Sequence, residues 1–277
     1  MFSIIYELED REKSFFHTAR LLYASLVKNK IVFEDINFYN NTIRLVHLPF
    51  CGADLNFLSS KHPFFFKRFL KNLKKITKSY PVYLAGPLQK SALSSYLDVI
   101  LVDFPQIYRH FIKKCVKKAC HMFYLESTNE EALILSDNAF YYIDELKDII
   151  RHFTVLGSLP EEEIEHYYEE FGITVKCTKA NTFNPKICIA DGKIPNFYTY
   201  LVFDVQNKLP YLHNIIKTDH LHFNVPLPFK IVAKHLPSLP LGNVICLIYS
   251  GLYDTLSFGE FIDKFGIELT GVIRPKY

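Results

Sequence analysis

Glycine is scarce in this chain, at 10 in 277 residues. None falls in a GxGxxG or GxxxxGKS/T pattern, so neither an ordinary dinucleotide site nor a P-loop is expected. No CxxC occurs among Cys51, Cys115, Cys120, Cys177, Cys188 and Cys246, which argues against zinc-ribbon and thioredoxin-type sites. Cys177, Cys188 and Cys246 lie in apolar strand-like runs, where a free thiol behaves as a small hydrophobe. Cys115 and Cys120 share a basic helix but stand about 140° apart on it. Disulfides are not expected. Long apolar runs are missing too. Residues 99–102 and 244–249 fall far short of the roughly 20 needed to span a bilayer. The opening MFSIIYELEDREK has no basic leader and no small-residue cleavage site. It reads as a first strand rather than a signal peptide, and the expected location is cytoplasmic.

What the chain does have is a globular balance, 49% apolar with 22% charged, which excludes disorder as a class. The net charge of +3 conceals an asymmetry: residues 1–120 carry 19 Lys and Arg against 9 acids, a net of +10, and residues 121–277 carry 13 against 20, a net of −7. Such a split can serve solubility, docking of the two halves, or attraction of an anionic partner.

The most informative stretch is FTVLGSLPEEEIEHYYEEFGITVKC, residues 153–177. A short apolar strand turns at Gly157 into a helix, and a second strand follows. Ser158 is the expected N-cap and Pro160 the first helical residue. Glu161, Glu162 and Glu163 oppose the positive end of the dipole, and Gly172 closes the helix. Strand, helix, strand is the unit of an α/β fold with parallel strands. Residues 243–273 repeat the theme, and Phe265-Gly266-Ile267 echoes Phe171-Gly172-Ile173. The expectation is therefore α/β: a mostly parallel sheet of strand-helix-strand units, Rossmann-like, over 81–277. A smaller mixed α+β portion is expected over 1–80.

Within that first portion, 10–27 reads as an amphipathic helix and 31–38 with 42–48 as a hairpin turning at Asn40-Asn41. HPFFFKRFLKNLKKITKS, residues 62–79, reads as a helix opened by Pro63, with an apolar face and a lysine-rich one. Further on, 82–85 and 99–102 are expected strands flanking a helix at 89–97, and 105–122 is a second basic helix. The segment 123–142 fits either two strands around Asp137-Asn138 or a helix over 130–135. Residues 144–153 read as helix, and 244–249 as a strand.

In open α/β sheets, ligands bind beyond the carboxyl ends of the strands. That rule selects the turns at Gly86, Gly157 and Gly251, with Lys90 and Ser250 beside two of them. The turn after Gly86 has no acid and is the better anion cradle; the glutamates after Gly157 would repel an anion. The loop 178–186 leaves the same expected rim and brings Lys179, Asn181, Thr182, Asn184 and Lys186, a set suited to a carboxylate or phosphate. Asp103, Asp191 and Asp204 are the nearest acids, and nothing in the sequence pairs them with a nucleophile. His213, Asp219, His220 and His222 are clustered, but a surface strand explains them and no metal is expected. No cofactor is specified.

Two functions fit. One is a protein, enzymatic or not, that binds a small anionic molecule at the sheet's carboxyl rim. The other is a non-catalytic interaction module whose basic half meets an acidic protein or nucleic acid. No DNA or RNA motif accompanies the lysines, which argues against nucleic acid, and lysine faces are commonly just wet. The aromatic content would suit a homodimer.

Overall fold

The computed structural model describes residues 1–7, 31–78, 80–179, 185–193, 200–273 and 275. The helix expected over 10–27 lies outside them. The chain divides into two compact units, one of Met1–Val102 with Leu227–Val232 and Leu247–Ser257, the other of Asp103–Pro226 with Ala233–Cys246 and Phe258–Tyr277.

The first unit holds a mixed sheet of β1 (Phe2–Glu7), β2 (Val32–Phe38), β3 (Asn41–Leu48) and β4 (Val82–Leu84), in the order β2-β3-β1-β4. The β2–β3 hairpin forms as expected, although Phe38 pairs with Asn41, so the turn is Tyr39-Asn40, with Tyr39 at φ 51. β1 runs parallel to both β3 and β4. Helices α1 (Gly52–Lys61) and α2 (Pro63–Thr77) follow β3. Pro63 opens α2 and Lys78, at φ 54, closes it. Phe66, Phe69, Leu70, Leu73 and Ile76 recur at helical spacing and bury one face of α2 in a core with Leu48, Phe50, Leu55, Val82 and Leu84. Each such side chain contributes about 2 kcal/mol by leaving water. The helix expected over 89–97 is two 3-10 turns, Gly86–Lys90 and Ala92–Ser95. The strand expected over 99–102 reduces to one bridge, Val99 to Val82.

The second unit begins with α3 (Pro105–His110) and α4 (Ile112–Met122). Then come β5 (Glu131–Leu135), α5 (Ala139–Leu146), β6 (His152–Leu156), α6 (Glu161–Phe171), β7 (Thr174–Thr178), β8 (Ile187–Ala190), β9 (Leu201–Asp204) and β10 (Ile215–Ile216). The ambiguous segment thus divides: apolar Ala132 to Leu135 makes a buried strand. Ala139, Tyr142, Ile143 and Leu146, at i, i+3, i+4 and i+7, make a helix. That helix ends at Leu146, so the one expected over 144–153 lies mostly in turn and strand. Around α6, Gly172 takes the left-handed C-cap at φ 63 as expected, but Pro160 rather than Ser158 is the N-cap.

The six strands β5 to β10 form one parallel sheet in the order β10-β9-β8-β5-β6-β7. Every residue of β8 and β9 is buried, as parallel strands covered on both faces require. The chain finishes with β11 (Leu221–Asn224), α7 (Leu227–His235), α8 (Leu241–Leu252), α9 (Phe258–Phe265) and β12 (Glu268–Val272), with β11 and β12 pairing antiparallel as a separate ribbon.

The α/β class with a mostly parallel sheet therefore holds, but several of its expected members do not belong. Residues 82–84 pair with β1 in the first unit's sheet. Residues 244–249 are not a strand at all: they lie in α8, where Val244 to Ile248 are all buried. An unbroken apolar run fits a buried helix as well as a buried strand, so its period could not decide. Gly251 is a helical residue: a Cβ there would meet the Phe2 ring at 2.7 Å. Gly266 does repeat the left-handed cap of Gly172, at φ 58, but the strand after it joins the antiparallel ribbon. The expected shared rim of segments 82, 153 and 244 does not exist. Among the described residues no helix is long and apolar enough to cross a membrane.

Candidate functional site

Counted along the chain, the parallel sheet has the order 3-2-1-4-5-6, and its direction of winding reverses between β5 and β8. At such a reversal the connections leave to opposite sides and a crevice opens beyond the strand ends. Here that crevice is a cleft of about 800 Å³. Its walls come from the turn after β5 (Ser136, Asp137, Asn138), the turn after β8 (Asp191, Gly192, Lys193), Gln206 and Lys208 after β9, and one face of α3.

Asp191 is the centre of this wall. Arg109 donates from Nε to Oδ2 at 3.1 Å and from the second terminal nitrogen to Oδ1 at 3.2 Å. Tyr142 donates its hydroxyl to Oδ2 at 2.7 Å, and Gln206 donates Nε2 to Oδ1 at 2.8 Å. Burial alone would raise the carboxyl pKa of Asp191, but the hydrogen bonds from Arg109, Tyr142 and Gln206 outweigh it and hold the group below the usual carboxylate range. With four donors on two oxygens, Asp191 positions its neighbours and is poorly placed to act as a base.

Arg109 is held in turn. Its other terminal nitrogen donates to Asp103 at 3.0 Å, and its backbone carbonyl accepts from the Tyr141 hydroxyl at 3.0 Å. Next to it in α3, buried Tyr108 donates to the carbonyl of Ile216 at 2.8 Å, which ties the helix to β10. Burial favours the neutral form of Arg109, yet Asp191 and Asp103 raise its pKa further still. The carboxylates take three of its five N–H bonds, and the side chain is 31% exposed. The Tyr141 hydroxyl is pushed up to about 12, by burial first and by Glu145 second. His110, whose ring lies 5.6 Å from that of Phe258, has its pKa lowered by burial. Lys193 pairs with Asp137 at 2.8 Å, a link between the turns after β8 and β5.

A second buried network lies behind this wall. Lys217 and Asp204 form an ion pair at 3.0 Å with both side chains only 2% exposed. Asp204 also accepts from the backbone nitrogens of Lys208 and Leu209, at 3.1 and 2.8 Å. Lys217 also donates to the carbonyl of Leu209 and lies over the Tyr211 ring at 4.7 Å. His220 Nδ1 accepts from the Lys217 backbone nitrogen at 3.0 Å. Among the described residues, no group of three or more His, Cys, Asp and Glu could hold a metal. Burial pushes the Cys120 and Cys246 thiols up to about 12, which suits inert core residues.

Of the residues selected from sequence, Asp103 lines the cleft. Gly86 and Lys90 belong to a 3-10 turn in the first unit, and Ser250 to α8, so none of the three follows a strand of the parallel sheet. Lys179 directly follows β7. Asn181, Thr182 and Asn184 lie outside the described residues. Lys186 precedes β8 and pairs with Glu130 at 2.9 Å, just before β5, on the amino edge of the sheet. A connection between parallel strands must cross from the carboxyl edge to the amino edge, so the loop 178–186 could not keep all its residues on one rim. Asp191 is among the acids the sequence offers; Arg109, Tyr142 and Gln206 are not distinguished by it. The one available signal was the Asp191-Gly192 turn directly after an apolar strand.

No family model matches the sequence, and no curated protein matches it. Solved structures similar to it include an L-tryptophan dehydrogenase from Nostoc punctiforme, at 11% identity and a TM-score of 0.37, covering 95% of this chain and 77% of that one.

Proposed function

We propose that the second unit binds a small molecule through a carboxylate or phosphate group in the cleft between β5 and β8. The observation that carries this reading is the convergence at a strand-order reversal of a partly exposed, doubly anchored arginine, Arg109, with the open start of α5. Asn138, the N-cap of α5, makes no side-chain cap bond, so it does not compete with a ligand for the first amides of the helix. Lys208, on the cleft wall, adds a further amine. An arginine fixed by two carboxylates loses little side-chain freedom on binding, which favours recognition of a planar or tetrahedral anion. If the bound molecule is turned over, His110 is the cleft residue suited to moving a proton near neutral pH. A thermal-shift screen of carboxylates, sugar phosphates and nucleotides tests the reading. Hits should vanish in Arg109→Ala and persist in Lys179→Ala, and the reverse pattern would return the site to the loop after β7.

A second reading rests on the first unit. Along α2, Lys67, Lys71, Lys74, Lys75 and Lys78 line a groove of about 590 Å³ with Leu70 and Tyr96, a wall of five amines without a carboxylate. This favours an acidic protein or another polyanion as the partner of the basic half. Binding of a labelled acidic peptide should weaken steeply with salt and fall in Lys71→Ala with Lys74→Ala. Salt-insensitive binding would remove this reading. Sedimentation velocity tests the homodimer suggested by the aromatic content.

A further inference from the structure

A parallel sheet wound 3-2-1-4-5-6 is the scaffold on which dinucleotides commonly bind, with the pyrophosphate over the first strand-to-helix turn. The residues at each position such a cofactor needs are the wrong ones here. We infer that the second unit is not a dinucleotide site, and that side chains bridging the strand-order reversal confine its ligand to a compact anion. The compact-anion part rests on the cleft reading above.

Three positions carry the inference. Counted from the end of β5, the three glycines of the dinucleotide turn would fall at Ser136, Asn138 and Tyr141. Those glycines make the turn tight, let the backbone approach the pyrophosphate, and bring helix against strand. Here the turn closes on a side chain instead, with the Asn138 nitrogen donating to Ser136 Oγ at 3.1 Å. The last of these glycine sites, Tyr141, carries a ring whose hydroxyl is spent on the Arg109 carbonyl.

The second position is Asp137, between the first two glycine sites. Its side chain is 96% exposed and its carboxylate meets Lys193 at 2.8 Å. A pyrophosphate over this turn would face that negative charge, and Lys193 would already be engaged. The start of α5 can still receive one anionic group from the side of Arg109 and Lys208.

The third position is the end of β6, where a dinucleotide sheet places the acid that holds the ribose hydroxyls about 20 residues after the turn. This chain has Leu156-Gly157-Ser158 there. Gly157 stands at φ 137, a conformation that residues with side chains rarely adopt, and its nitrogen donates to the Thr178 carbonyl at 3.0 Å. The next acids, Glu161 to Glu163, belong to the first turn of α6.

The test is a fluorescence-anisotropy titration of NADH and of NADPH with the full chain. It runs beside a thermal-shift titration of inorganic phosphate, malate and glycerol 3-phosphate. The expected result is flat anisotropy for both dinucleotides up to about 100 µM protein, with a saturable shift for at least one small anion that Arg109→Ala abolishes. Saturable NADH or NADPH binding below that concentration overturns the inference whatever the anions do. Flat traces for every compound would defeat the cleft reading and its compact anion, while the exclusion of dinucleotides would stand.

Discussion

The hydroxyl of Tyr142 donates to the carboxylate of Asp191 at 2.7 Å, on the same oxygen that receives Nε of Arg109. Burial and the neighbouring carboxylate both raise the phenol's pKa, so it stays a donor throughout the ordinary pH range. Tyr142→Phe keeps the ring and removes only that bond. The expected loss is about 1–2 kcal/mol in urea unfolding, since the acceptor is charged and little exposed. A loss below about 0.3 kcal/mol would mean that Arg109 and Gln206 satisfy Asp191 without it.

Arg109→Ala leaves the Asp191 carboxylate 8% exposed without its cation. Breaking a fully buried pair costs about 3–5 kcal/mol, and partial exposure of Arg109 places this one nearer 2–3. The pH dependence follows in sign. The folded pKa of Asp191 lies below its unfolded value of about 3.9. The stability it contributes is therefore full above the unfolded value and is lost as pH falls through the folded one. Urea midpoints measured from pH 3 to 7 should show a shallower acid decline in Arg109→Ala than in the parent. Parallel declines would place the acid sensitivity elsewhere.

The pair of Lys217 and Asp204 makes a sharper case because both side chains are only 2% exposed. Lys217→Met should cost about 3–5 kcal/mol, as it strands a buried carboxylate on two backbone donors. Adding Asp204→Asn should recover part of that loss, because the amide carries no charge to solvate. A double mutant less stable than the single one would contradict this account.

Two glycines should fail for different reasons. Gly251→Ala drives a methyl into the fully buried Phe2 ring, and overpacking of that kind costs about 1–3 kcal/mol. Gly172→Ala meets no neighbouring atom and pays only for its left-handed backbone, about 1 kcal/mol. Gly172→Asn should therefore recover stability, whereas Gly251→Asn should worsen it. Melting temperatures of the four variants check both statements.

Much of the chain was legible without coordinates, where a signal is local and repeats with one period. The β2–β3 hairpin, the two-faced α2 with its proline start, and α6 with Gly172 at its end all follow from residues within a turn or two of one another. The failures share a cause. The run at 244–249 is apolar on every side, so neither period is visible in it; α8, which contains it, packs against distant segments, as where Gly251 meets Phe2. The site was only partly legible. Asp103 could be selected because it follows an apolar segment, but Arg109 lies on a short basic helix that nothing local distinguishes from a wet surface.

From the sequence alone came the class of the protein, the Pro63 start of α2 and the Gly172 end of α6, and the lack of a glycine-rich phosphate turn, because each depends on side chains close along the backbone. Only the tertiary structure decided which strands lie side by side and hence where the winding reverses. That in turn brought Arg109 to Asp191, 82 positions apart along the chain, within 3.1 Å. Strand order depends on how long-range apolar faces cover one another, and no window of neighbouring residues contains that information.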